Sequence, residues 1–120
     1  MTILDPIPGL DIDAGLRTVG GRMDSLVRLL RKYGELHAED GRLFREGIAS
    51  GEIEAAQRLA HSLKGAAGFL GLVLIQRLSG SLETALREGT SRDQVERLLE
   101  AFERENASVC AAIQALPPAP

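Results

Sequence analysis

The sequence predicts an all-α fold: an antiparallel up-down four-helix bundle with an additional short helix or helices at its N-terminal end. Three observations carry that prediction. Apolar residues recur at spacings of three and four along several long segments. β-Branched residues are sparse, and few runs alternate with period two. Glycine and serine punctuation leaves only short connections between the periodic segments, and short connections make consecutive long helices antiparallel neighbours.

The elements follow in order. Residues 1–10 (MTILDPIPGL) hold two prolines and no helical period, so they read as a linker or extended lead-in. Asp11 to Val19 can form a short helix, with Asp11 or Asp13 as its cap and Gly20-Gly21 as its stop. From Arg22 to His37, Leu26, Leu29, Leu30, Tyr33 and Leu36 recur at helical spacing. A further helix covers residues 38–50 with Leu43, Phe44 and Ile48, and Gly34 and Gly41 are the candidate break points. After Ser50-Gly51 the central helix begins near Glu52, where Glu54 suits the positive end of the helix dipole, and runs to Leu70 with Gly71 as its stop. The next helix, residues 72–88, carries Ile75, Leu78, Leu82 and Leu86 on one stripe, and Gly89 closes it. Ser91 with Gln94 forms a capping box for the last helix. That helix carries Val95, Leu98, Phe102, Val109, Ile113 and Leu116, a stripe interrupted by Asn106 as an expected interfacial polar residue. Pro117-Pro118-Ala119-Pro120 ends the helix and begins a semi-rigid tail. The organisation is therefore a lead-in (1–10), a helical bundle (11–116) and a proline-rich tail (117–120).

Composition excludes several functions. A chain of 120 residues makes one domain with one modest core. Four aromatics (Tyr33, Phe44, Phe69, Phe102) are too few for a base-stacking surface, and a net charge of −3 opposes phosphate-backbone binding. Nucleic acid is not an expected partner. Cys110 is the single cysteine, which excludes an internal disulfide and a multi-cysteine zinc site. No apolar run approaches the roughly 20 residues that span a bilayer. The expectation is a soluble, cytoplasmic monomer without membrane contact. The linker-like ends also suit a module attached to a larger protein.

One stretch stands apart. Ala60 to Gly71 reads as helix yet holds three glycines within seven residues, Gly65, Gly68 and Gly71. Each glycine inside a helix costs about 0.5–1 kcal/mol relative to alanine, so their presence suggests a helix face kept bare. On a helical wheel Leu59, Leu63, Ala66 and Leu70 form the core stripe, with Ala56 and Ala67 slightly beyond it. His61 lies opposite, among Glu54, Gln57, Arg58, Lys64, Gly65 and Gly68. Phe69 falls on the flank, about 80° from His61.

Each part of that face has a chemical use. An exposed, neutral imidazole is a nucleophile toward phosphorus. Lys64, one turn away, can neutralise phosphoryl oxygens. Gly65 and Gly68 leave room for another protein, and nearby Glu and Gln side chains can hold the second ring nitrogen. No GxxxxGK[ST] loop and no magnesium-binding acidic pair accompanies them, so the chain does not read as a self-sufficient kinase or NTPase. A lone surface histidine is, on its own, most often only a surface residue. His37 reads as a boundary residue, Cys110 as small core packing, and Arg28, Arg31 and Lys32 as a solvated face.

Leu59 to Gly71 resembles the HxxKGxxxxxG signature of histidine phosphotransfer (HPt) domains, the phosphoryl carriers of bacterial phosphorelays. The likeness extends to the lead-in, through Pro8-Gly9-Leu10-Asp11, Gly15-Leu16 and Gly20-Gly21, and to Leu26, Leu29-Leu30 and Gly51. The resemblance implies that His61 is the phosphoacceptor and that Lys64 steadies the phosphoryl oxygens. It implies that Glu83 orients the imidazole. It implies a receiver-docking surface of Gln57, Arg58, Gly65, Gly68 and Phe69, where Phe69 departs from the small or polar residue common in the family. The partner would be a response-regulator receiver domain, alone or in a hybrid sensor kinase, supplying the aspartate and Mg2+. The domain itself would bind no cofactor and no metal, and would relay phosphoryl groups without being an autonomous enzyme. Two other functions compete: a helical interaction module that docks a receiver without phosphotransfer, and a small metal- or cofactor-binding bundle.

Overall fold

The computed structural model describes residues 2–117, and these residues are arranged as helices and turns without a strand. The helices are α1 (Ile12–Thr18), α2 (Met23–His37), α3 (Asp40–Ala49), α4 (Ile53–Leu70), α5 (Val73–Glu88) and α6 (Arg92–Gln114). The long helices α2, α4, α5 and α6 make the bundle, and α3 extends the α2 side of it. Cross-links show that the α2–α3 side runs antiparallel to α6. Arg31 reaches the carbonyl of Pro117, Tyr33 meets Asn106, and Arg45 meets Glu96 and Glu103. No helix among the described residues is long and apolar enough to cross a membrane.

The caps follow the sequence. The Asp11 carboxylate accepts from the Ala14 amide at 3.0 Å and starts α1. The Ser91 hydroxyl accepts from the Gln94 amide at 3.3 Å and starts α6. Helix α4 ends in a Schellman turn: the Leu72 amide bonds the Ala67 carbonyl at 2.9 Å and the Gly71 amide the Gly68 carbonyl at 3.3 Å. Gly71 sits at φ +83°, the left-handed region that favours glycine.

The core is continuous and apolar, with Leu26, Leu30, Phe44, Leu63, Leu82, Phe102 and Val109 fully enclosed. Phe44 and Phe102 meet edge to face at a ring separation of 5.3 Å, joining α3 to α6. The core stripe of α4 is rotated from the expected one: Ala60 is wholly buried, while Leu59 and Ala66 are only half-buried. On α6, Leu99 takes the enclosed position and Leu98 the half-buried one. These small shifts arise because α4 and α6 each bury a broad face against more than one neighbour.

The lead-in is not a free linker. Leu4 and Ile7 are buried in the core. Residues 9–11 lie along the α4–α5 turn, with the Asp11 amide on the Gly71 carbonyl at 2.7 Å and the Val73 amide on the Gly9 carbonyl at 3.0 Å. The tail expected over residues 117–120 lies outside the described residues from Pro118 onward; Pro117 itself is exposed.

The break between α2 and α3 falls at Ala38–Glu39, not at Gly34 or Gly41. Gly41 answers to α6 instead: a Cβ there would stand 2.7 Å from Glu103 Cγ, whereas one on Gly34 would meet Ile113 at 3.4 Å, an ordinary contact. The junction is held by Asn106, the residue that interrupts the α6 stripe. Its amide donates to the His37 carbonyl at 2.9 Å, and its Oδ1 accepts from the Tyr33 hydroxyl at 2.7 Å. A terminal carbonyl of α2 is thereby satisfied inside the bundle. Burial pushes the Tyr33 phenol above its ordinary value.

Ser79, on the buried face of α5, is fully enclosed and its hydroxyl has no hydrogen-bond partner. An unpaired buried hydroxyl costs about 1–3 kcal/mol. Ser79→Ala removes it with almost no change of volume. The expected result is unchanged or increased stability, by up to about 1 kcal/mol in a urea titration, and a clear loss would contradict the packing described.

Candidate functional site

Helices α4 and α5 are joined by only Gly71 and Leu72, so they pack side by side and antiparallel. That pairing sets His61, in the middle of α4, opposite Glu83, in the third turn of α5. Glu83 Oε2 lies 2.8 Å from His61 Nδ1, and its other oxygen, Oε1, lies 3.0 Å from Lys64 Nζ. One carboxylate thus holds both the histidine and the lysine. The His61 side chain is 70% exposed while that of Glu83 is 17% exposed. The imidazole stands at the surface on a largely covered support.

The electrostatics follow from this geometry. The Lys64 ammonium, and secondarily His61, hold the Glu83 carboxyl below the usual carboxylate range. An ionised carboxylate can only accept, so Nδ1 of His61 must carry the proton. In the neutral ring the lone pair then resides on Nε2. The Lys64 stem crosses α5 at Gly80, where an added Cβ would stand 3.2 Å from Lys64 Cδ.

His61 lines an open depression of about 530 Å³ with Glu54, Gln57, Arg58, Ser62 and Glu83. The structure therefore brings together His61, Gln57, Arg58 and Glu83, with Lys64 joined through Glu83. Glu54 stood on the wheel face, but Ser62 was not among the sequence candidates; an exposed serine inside a helix carries no signal of its own. Gly65 is exposed, and a Cβ there would meet nothing within 4 Å. Its surface is free.

Gly68 and Phe69 stand apart from this depression. A Cβ on Gly68 would lie 2.7 Å from Gln76 Nε2, so the glycine leaves room for the end of that flexible side chain. Phe69 is 50% exposed, as its place on the flank implies. It borders a separate apolar groove of about 200 Å³ between α2 and α4, with Leu29, Lys32, Leu36 and Ala66.

The remaining candidates have structural partners. His37 Nδ1 lies 2.6 Å from the carboxylate of Asp40, a buried acid at the start of α3. The Cys110 thiol is buried, and burial pushes its pKa up, which suits packing rather than thiolate chemistry. Arg28 pairs with Asp24 at 3.7 Å on the surface. Among the described residues no group of three or more His, Cys, Asp or Glu side chains is placed to hold a metal ion.

The profile of the Hpt domain matches residues 24–116, more than half of the chain. No curated protein and no solved structure gave a significant match.

Proposed function

The chain belongs to the Hpt domain family, and from that premise we propose that His61 is its phosphoacceptor, taking a phosphoryl group from a receiver aspartate and passing it to another receiver. Hpt domains act in two-component phosphorelays, as phosphocarriers rather than catalysts, and interact with receiver domains. The observation that carries the residue assignment is the exposed imidazole whose Nδ1 is fixed on Glu83 beside Lys64.

The chemistry balances without a base in this domain. The Nε2 lone pair attacks phosphorus and an N–P bond forms. The P–O bond to the aspartate breaks, and its electron pair leaves on the aspartate carboxylate. The Nδ1 proton stays where it is, on its hydrogen bond to Glu83. Lys64 offsets charge on the phosphoryl oxygens as they arrive. The Mg2+ that assists the transfer belongs to the receiver; this domain supplies no cofactor. The docking surface is centred on Gln57, Arg58 and Gly65, with Phe69 at its margin. The domain works as a cytoplasmic monomer.

The test is transfer of radiolabel from a phosphorylated receiver. Wild type is expected to gain acid-labile, alkali-stable label, and His61→Gln to gain none. Equal labelling of the variant would overturn the assignment. Binding of the receiver by both proteins without label on either would instead support a docking module.

A further inference from the structure

We infer that Glu83 sets how readily a phosphoryl group leaves His61, by holding the Nδ1 proton on the ring and by exchanging Lys64 between its own carboxylate and the phosphoryl oxygens. This rests on His61 being the phosphoacceptor. It goes beyond orientation of the ring, which a neutral amide at the same position would provide equally well.

The argument starts from the two oxygens of one side chain. In the structure Oε2 serves His61 Nδ1 and Oε1 serves Lys64 Nζ. The carboxylate therefore divides its charge between a ring N–H and an ammonium. Gly80 makes this reach available, because its missing side chain lets the Lys64 stem lie across α5. The other charged groups lining the depression are Glu54 and Arg58, both from α4. Neither hydrogen-bonds or ion-pairs with His61, which meets Glu83 instead.

A phosphoryl group on Nε2 changes that balance. It brings about two negative charges within reach of Lys64. The ammonium then has a stronger partner than Glu83. As Lys64 turns to the phosphoryl oxygens, Oε1 loses its counter-ion, and the carboxylate charge falls on the Nδ1–H alone. An opposite charge at hydrogen-bond distance favours the protonated form of a ring.

The protonated ring is the one that lets phosphorus go. When the N–P bond breaks, its electron pair returns to Nε2. With the Nδ1 proton in place, the leaving group is neutral imidazole. Without that proton it is an imidazolate anion, a far poorer leaving group. The acceptor oxygen, from a receiver aspartate or from water, forms the new P–O bond. Glu83 thus keeps the carrier in its readily discharged form at pH values where a free phosphohistidine ring would lose the proton.

Glu83→Gln separates this from orientation, since the amide oxygen can still accept from Nδ1–H but carries no charge. Wild type, Glu83→Gln, Glu83→Ala and His61→Gln are labelled chemically with phosphoramidate. Loss of phosphohistidine is then followed by 31P NMR at pH 5 and pH 8.5. At pH 8.5 the label on Glu83→Gln is expected to last about tenfold longer than on wild type, in line with the usual effect of a neighbouring charge. At pH 5, where solvent protonates the ring in both, the lifetimes should agree. Glu83→Ala should show the same pH-dependent gap. Equal lifetimes at both pH values would overturn the inference, as would a uniform change at both, and either leaves His61 as carrier intact. Equal labelling of His61→Gln and wild type would instead remove the carrier assignment itself.

Discussion

Gly71→Ala is expected to destabilise the bundle by about 2–5 kcal/mol, the sum of left-handed backbone strain and overpacking. The first contribution is local. Gly71 sits at φ +83°, where a Cβ crowds the carbonyl that follows it. The second is tertiary. A Cβ there would stand 2.4 Å from the Asp11 carbonyl oxygen and 3.0 Å from the Gly15 amide nitrogen. Both neighbours are backbone, so no side chain can swing away. Relief requires moving the start of α1 off the end of α4, and that breaks the Asp11–Gly71 hydrogen bond of 2.7 Å. Gly89 provides the comparison. It too has a positive φ, +67°, and ends a helix, but nothing lies within 4 Å of an added Cβ. Gly89→Ala should therefore cost only about 1–2 kcal/mol. Against a total stability of about 5–15 kcal/mol, the first change is severe and the second tolerable. Urea titrations of both variants measure the difference, and equal losses would refute the close approach of α1.

The same contrast explains what could be read from the sequence. Helical periodicity is local, so the six helices and their caps at Asp11 and Ser91 were legible in order. Glycine is ambiguous, because a missing side chain can mark a turn, a neighbour or an open face. Gly71 and Gly89 were readable as stops because apolar periodicity ends at them. Gly41 reads as a break point, although Glu103 of α6 crowds it from across the bundle, and Gly34 lies inside α2 with only an ordinary contact to Ile113. Gly68 reads as part of an open face, and the end of the flexible Gln76 side chain lies beside it. The burial of Leu4 and Ile7 was hidden for the same reason: a short segment without period reveals nothing about the groove it will cover.

At the site, legibility followed distance along the chain. His61 and Lys64 are one turn apart on one helix, so the wheel alone paired them. Glu83 is 22 residues from His61, and only the family resemblance pointed to it before the α4–α5 turn brought the two within 2.8 Å. No sequence pattern announced that its second oxygen would hold Lys64. That shared carboxylate depends on two helices packing in one register, and Gly80 leaves room for the Lys64 stem that reaches it.

Gly65→Leu is the change expected to separate folding from function most widely. The residue lies inside α4, one turn beyond His61, and a Cβ there would meet nothing within 4 Å. Replacing an exposed helical glycine by leucine should raise stability by about 0.5–1 kcal/mol, through helix propensity alone. The intramolecular site should persist, because Glu83 reaches His61 and Lys64 from α5 and touches neither face of residue 65. Labelling by the small donor phosphoramidate should accordingly survive. A receiver is different. To bring its aspartyl phosphate against Nε2 it must lay backbone and side chains along the α4 surface, and a leucine standing there blocks that approach. A clash of about 3 kcal/mol in the docked complex corresponds to roughly a hundredfold loss of transfer. Unfolding curves, phosphoramidate labelling and receiver-to-domain transfer, measured on one preparation, check all three expectations. Undiminished transfer from the receiver would mean that the partner approaches His61 from the Glu54–Arg58 side of the depression, and that Gly65 is bare for some reason other than docking.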